Sequence, residues 1–248
     1  MKEFFATLFS QNNSSLKIGL FDVWHFLYLF IVFGGTILLA LLGRKYEKYQ
    51  PRFQKLMAYL TIGLYLADFF IMPLSDSYNF EISAYKLPFN ICTVMAALVP
   101  FAEFNKKFEK FRQPVVTLAI ASSLMWMCYP GTALGGQPPF SYVIFQTFMY
   151  HGFLFCWGVL NLAYGKVEYR WRYIYKELNF VLCMLVWASF GNAIYDRDYN
   201  WFFIEKSIFP FLSDEIMPLA VVFSVFGTCF VVYCAYFALK AICKPKTR

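Results

Sequence analysis

Charge is scarce in this sequence: Asp, Glu, Lys and Arg make up 15% of its 248 residues, where a soluble domain carries about a quarter. Too little polar material is present to cover a water-facing globule. Histidine occurs only twice, and there is no HExxH pairing. The strong metal ligands are scattered, which argues against a zinc site. GxSxG, a glycine-rich phosphate loop and a dinucleotide fingerprint are absent as well, so the usual hydrolase and nucleotide signatures are missing. The last long apolar run holds no lysine before Lys240, which excludes a retinal-type Schiff base. The seven cysteines (92, 128, 156, 183, 229, 234 and 243) lie in apolar runs or at their ends without a CxxC. They form no disulfide framework and read mostly as small apolar packers. Residues 1–20 lack an apolar core followed by small residues, so the first apolar run is expected to be retained rather than cleaved. No internal repeat or low-complexity tract stands out.

What is present is apolar: 60% of residues are hydrophobic and 22% aromatic, a composition that excludes intrinsic disorder. Seven long apolar runs are legible, at about 22–43, 54–73, 87–102, 113–129, 141–164, 177–195 and 216–242. About 20 residues at 1.5 Å each cross a hydrocarbon core of about 30 Å. The runs are continuous rather than alternating, which favours helices over barrel strands. The expected fold is therefore all-α: a seven-helix polytopic bundle forming a single integral membrane domain over 1–248, with longer loops at 74–86, 130–140 and 196–215.

Basic residues set the expected orientation. The loops on one side hold 17 Lys and Arg and those on the other hold 5, which puts the N-terminus outside and the C-terminus in the cytoplasm. The net charge of +7 thus sits in short loops beside helix ends. There it orients the chain and meets anionic headgroups, and nucleic acid is not an expected partner. Phe101, Phe104, Phe108 and Phe111 follow a helical spacing beside lysines, as an interfacial helix does. Residues 169–173 read as an aromatic and basic belt. Asn12-Asn13-Ser14-Ser15 holds two overlapping glycosylation sequons, relevant only in a eukaryotic secretory membrane.

In a membrane bundle the informative residues are the polar ones inside apolar runs. Asp22 and His25, Asp68, Asn90 and Cys92, Gln146 and His151, and Asn192 all fall in the outer halves of their runs, with Asn161 the main inner-half exception. The clustering suggests a polar cavity opening outward. Plainer roles stand beside this one. Asp22 and His25 suit an interface, Asp68 a paired or hydrated carboxylate, and Asn90 and Asn192 hydrogen bonds between helices. His151 lies about 15 Å along its helix and Cys92 about 8 Å. A cysteine thiolate is a strong nucleophile, and a histidine can take its proton. A Cys–His pair beside lipid suits acyl transfer through a thioester.

Leu87-Pro-Phe-Asn-Ile-Cys92 resembles the LP-x-H-x-C opening of a helix in the bacterial YwaF-like integral membrane proteins. Phe140 to Gly152, which includes His151, resembles the same family's later helix, and Trp24-His25, Asn192 and Asn200-Trp-Phe-Phe203 also fit. The resemblance spans about 22–205 and includes the seven-helix plan. Its eukaryotic relatives, transmembrane protein 164 and its kin, are coenzyme A-independent phospholipid acyltransferases. The resemblance implies Cys92 as the nucleophile that takes the acyl chain and His151 as the general base. Where the family often carries histidine this chain has Asn90, which hydrogen-bonds but does not titrate near neutral pH. Asn90, Gln146 and Asn192 are expected to position the ester or headgroup, and Asp68 or His25 to orient the base. The expected substrates are membrane phospholipids and lysolipids, with no metal or other cofactor, in a bacterial plasma membrane or, in a eukaryote, a secretory one. The rival expectation is a non-catalytic lipid or small-solute binder, transporter or scaffold using the same residues.

Overall fold

The computed structural model describes residues 17–71, 86–130, 138–195, 200–206 and 212–242. Seven α-helices run through them: α1 (Val23–Lys45), α2 (Gln50–Ile71), α3 (Ile91–Phe104), α4 (Arg112–Cys128), α5 (Tyr142–Ala163), α6 (Tyr175–Ile194) and α7 (Met217–Ile242). No strand occurs among the described residues. The sequons, most of the three long loops and the last basic residues lie outside them.

Local chemistry sets several boundaries. Asp22 caps α1, its Oδ1 accepting from the backbone N–H of His25 at 2.8 Å, and Ser141 caps α5 by accepting from Ile144 N–H. Helix α2 starts earlier than its apolar run because Pro51 sits in its first turn, where the missing N–H costs nothing. The interfacial helix expected at 101–111 is split. Residues 101–104 complete α3, and Lys106–Phe111 is a 3-10 turn opened by Asn105, whose side chain accepts from Lys107 N–H.

Helices α4 and α5 form the centre of the bundle. Every residue from Pro114 to Ser123 is buried, and α5 is buried over most of its length. Both touch α3, and α5 also packs on α1 and α2 while α4 packs on α6 and α7. Gly158 lets the two central helices approach closely: a Cβ there would stand 2.6 Å from Ile120 Cγ1 and 3.2 Å from the Val116 carbonyl oxygen. Gly158→Ala is therefore expected to push α5 off α4 and cost about 1–3 kcal/mol, as overpacking does. A lowered unfolding temperature in detergent would show it; an unchanged one would mean that Ile120 yields freely.

The outward faces are strongly apolar. Val23 is 72% exposed, Phe30 75% and Val186 71%, while Gln54, Asp68, Gln146, Asn161, Glu177 and Asn192 are buried. Apolar surface outside and polar groups inside is the distribution that lipid, not water, favours. Among the described residues, four segments are long and apolar enough to cross a membrane: Val23–Lys45, Tyr142–Ala163, Trp171–Ile194 and Asp214–Ala241. Seven helices do form, but α3 and α4 are short at 14 and 17 residues. Helix α2 is diluted by Gln50, Arg52, Gln54, Lys55 and Asp68.

Candidate functional site

Helix α3 begins after a turn at Leu87–Asn90, with Asn90 in the N-cap position. Thr93 Oγ1 lies 2.9 Å from the Asn90 carbonyl and 3.1 Å from that of Leu87, fixing the first turn. Cys92 projects from this turn and is half-buried. It packs with Ala96, one turn on, against Tyr65 of α2 and Tyr150 of α5, and Ser122 of α4 adjoins its thiol.

His151 lies on α5, 5% exposed. Its Nδ1 is 2.7 Å from the Thr147 carbonyl oxygen, one turn back. A carbonyl only accepts, so Nδ1 carries the proton and Nε2 is the basic nitrogen. The ring stacks on Trp126 of α4 at 4.1 Å and 8° and meets Tyr150 edge-on at 4.7 Å. Ser122 and Trp126 are four residues apart on α4, hence on one face. Cys92 and His151 thus rest against successive turns of the same helix face, with Tyr150 in contact with both. Among the described residues no hydrogen bond joins the two directly.

Asp68 is 1% exposed, with Lys86 Nζ at 2.6 Å from Oδ2 and the Tyr142 hydroxyl donating to Oδ1 at 2.9 Å. Tyr65 donates to the Lys86 carbonyl at 2.8 Å. Gln146 donates to the Leu64 carbonyl at 3.3 Å and accepts from Thr147 Oγ1 at 3.2 Å. These groups tie α2 to α5 beside the histidine. His151 is held by Thr147 and Trp126, and Asp68 by Lys86 and Tyr142.

His25 is committed elsewhere. Phe21 N–H donates to its Nδ1 at 3.0 Å, so Nε2 carries the proton and donates to the Met127 carbonyl at 2.8 Å. With both nitrogens used, it fastens the start of α1 to the end of α4. Phe148 lies between it and Trp126, touching both rings.

Asn90 and Asn192 grip the segment 200–206. Asn192 Oδ1 accepts from Trp201 N–H at 2.9 Å and its Nδ2 donates to the Trp201 carbonyl at 3.2 Å, while Asn90 Oδ1 accepts from Phe202 N–H at 2.9 Å. Trp201 is thereby buried against Phe89, ring centroids 4.6 Å apart. Asn200, Phe202 and Phe203 all have positive φ, from 45° to 62°. Such backbone in non-glycine residues costs about 1–3 kcal/mol each and persists only when its surroundings enforce it. Asn192→Ala should remove its two hydrogen bonds to the Trp201 backbone, at about 0.5–1.5 kcal/mol each. Thermal unfolding should report the loss; an unchanged midpoint would mean that Asn192 does not hold the segment.

The polar side chains expected to line an outward cavity are therefore packed and largely hydrogen-bonded. On another side of α4, Leu124, Met125 and Cys128 form with Phe223, Ser224, Gly227, Thr228 and Val231 of α7 an open groove of about 470 Å³. Toward the other end of the bundle, Asn161 accepts from Arg112 at 2.9 Å. Glu177 Oε1 lies within 3.0 Å of Gln113 Nε2, Thr117 Oγ1 and the Tyr233 hydroxyl. Tyr169, expected in a surface belt, is instead 2% exposed and stacked on Tyr233 at 4.1 Å. Beside it, Lys240 in the last turn of α7 reaches Glu168, which lies between α5 and α6, at 2.6 Å and holds that carboxyl below the usual carboxylate range. The residues that sequence reasoning passed over are Ser122, Trp126, Thr147 and Tyr150. A serine pair in the middle of an apolar run was the available signal for the first.

Apolar faces turned outward, a buried polar core and four spanning-length helices define a polytopic helical membrane protein. A sequence model of the TMEM164 family matches residues 20–238, and the chain belongs to that family. No curated protein and no solved structure matches it.

Proposed function

We propose that this protein is a membrane-embedded, coenzyme A-independent acyltransferase that moves a fatty acyl chain from a phospholipid to a lysolipid through a thioester on Cys92. The observation that carries the reading is the placing of Cys92 and His151 against one face of α4, with the imidazole oriented so that Nε2 is its basic nitrogen. Membership of the TMEM164 family supports it.

The chemistry follows from these groups. His151 Nε2 takes the thiol proton, and the thiolate attacks the ester carbonyl of the donor phospholipid. Collapse of the tetrahedral intermediate breaks the ester C–O bond, and the leaving lysolipid oxygen takes the proton back from His151. In the second half-reaction the acceptor hydroxyl gives its proton to His151 and attacks the thioester, and the departing thiolate takes that proton back, restoring the thiol and the neutral imidazole. The bilayer supplies both substrates, so neither metal nor nucleotide enters the scheme. The proposed placement has all seven helices crossing the membrane, the N-terminus outside and the basic loops on the cytoplasmic headgroups of a bacterial plasma membrane. Gln146 and Asp68 keep the supporting role of fixing α2 against α5 beside the base.

The test is chemical. The purified chain in phosphatidylcholine vesicles bearing a labelled acyl group should acquire label that hydroxylamine removes. Failure to acquire it under conditions where the protein is folded would favour the non-catalytic lipid-binding reading.

A further inference from the structure

Hydroxyls inside helices of this protein usually fold back on their own backbone. Thr36, Thr61, Thr117, Thr147 and Thr228 each donate to the carbonyl four residues earlier, at 2.7 to 2.9 Å. Ser122, Ser123 and Tyr150 show no such bond. Ser122 and Tyr150, buried at 3% and 4% exposure, are the two beside Cys92: the Tyr150 hydroxyl has no hydrogen-bond partner, and the Ser122 hydroxyl has none besides the Cys92 thiol that it meets. A buried, unpaired hydroxyl costs about 1–3 kcal/mol, and native structures hold few of them. Ser122 and Tyr150 stand on different helices beside the same thiol: the Ser122 hydroxyl of α4 meets Cys92, and Tyr150 of α5 belongs to the cluster that Cys92 packs against. Tyr150 is further fixed by Tyr65, whose ring lies 6.2 Å away at 29°, and by the edge of His151. The Tyr65 hydroxyl donates to the Lys86 carbonyl and accepts nothing from Tyr150.

We infer that the Ser122 and Tyr150 hydroxyls are the donors that stabilise the carbonyl oxygen of the acyl group on Cys92 as it becomes an oxyanion. The inference rests on the thioester reading of the site. When the sulfur bonds to the acyl carbon, the electron pair of the C=O bond moves onto oxygen. That oxygen then lies within one atom of the sulfur and needs hydrogen bonds in a setting without water. Preorganised donors aimed at this charge are usually the largest single contribution to acyl-transfer catalysis. The same two groups serve both half-reactions, because each passes through a tetrahedral carbon attached to the same sulfur. Neither exchanges a proton: the thiol and alcohol protons travel through His151, and the serine and tyrosine only donate hydrogen bonds.

Ser122→Ala and Tyr150→Phe test the assignment in the full chain reconstituted in phosphatidylcholine vesicles. Each removes one hydroxyl, and the phenylalanine keeps the ring contacts. Formation of the hydroxylamine-sensitive adduct should slow about 100-fold in each variant, while alkylation of Cys92 by maleimide keeps its wild-type rate. A phospholipid analogue carrying a thionoester, whose sulfur accepts hydrogen bonds poorly, supplies the second readout. The wild type should strongly prefer the oxygen ester, and both variants should lose much of that preference. Adduct formation at wild-type speed in both variants overturns the assignment. So does an equal slowing of maleimide alkylation, which would place the hydroxyls' effect on the thiol rather than on the acyl oxygen. If one variant does not fold, the other decides. Absence of any adduct in the wild type is a separate outcome, in which the thioester reading itself fails and the assignment falls with it.

Discussion

Replacing Cys92 by alanine is expected to lower acyl transfer by at least about 10⁴-fold, a loss of the size that follows removal of a covalent nucleophile, and to leave the fold nearly untouched. The side chain is small and half-buried, and its removal opens no large void, so a stability change below about 1 kcal/mol is expected. Cys92→Ser separates nucleophile from shape. The hydroxyl fills the same space but is a far weaker attacking group when its proton must go to a neutral imidazole, so the hydroxylamine-sensitive label should vanish here too. Cys183, which faces outward from α6, and Cys156, buried further along α5, provide controls: alanine at either should leave transfer within a few-fold of wild type. Transfer is measured as labelled acyl chain moved from phospholipid to added lysolipid in vesicles. Retention of full activity by Cys92→Ala would end the thioester mechanism.

The helices were legible because each apolar run is long, continuous and bounded by charges or prolines. Even the short α3 is announced by Pro88 and Asn90 just before it, although the helix begins at Ile91 rather than at Leu87 because those residues make the turn. Crossing length was less legible: an apolar run can include flanking turn residues that carry no helical rise, so α3, at 14 residues, is shorter than its run at 87–102, whereas α4, at 17 residues, is as long as its run at 113–129. Within the site, His151 stood out because a histidine deep in an apolar helix needs a reason. Asn90 and Asn192 read as helix-to-helix hydrogen bonds, yet their partners are backbone groups of Trp201 and Phe202. That could not be foreseen, because the segment holding them is shaped by positive φ at residues that are not glycine. Ser122 was passed over for another reason. A serine in an apolar helix reads as one that bonds its own backbone, and only the structure shows that this one does not.

The two histidines should separate cleanly under substitution. His151→Gln removes the base and is expected to slow both half-reactions by about 10²–10⁴-fold, the usual contribution of a positioned general base. Its stability cost comes from the lost stacking on Trp126, about 0.5–1.5 kcal/mol, and from the lost hydrogen bond to the Thr147 carbonyl, about 0.5–1.5 kcal/mol. His25→Ala should do the reverse. It leaves the Met127 carbonyl and the Phe21 N–H without their partners, at about 1–3 kcal/mol for each group that stays buried, and it unfastens α1 from α4. Its transfer rate per folded molecule should stay within about threefold of wild type, because no proton in the mechanism passes through a ring whose two nitrogens are already committed. Measured together, single-turnover acylation and the unfolding temperature in detergent should therefore move in opposite patterns for the two variants. A large rate loss in His25→Ala with an unchanged unfolding temperature would reverse the assignment of the base. The reason would lie in the geometry itself: the stacked, Thr147-bonded ring of His151 would then be the fastening, and the ring at the start of α1 the one that moves protons.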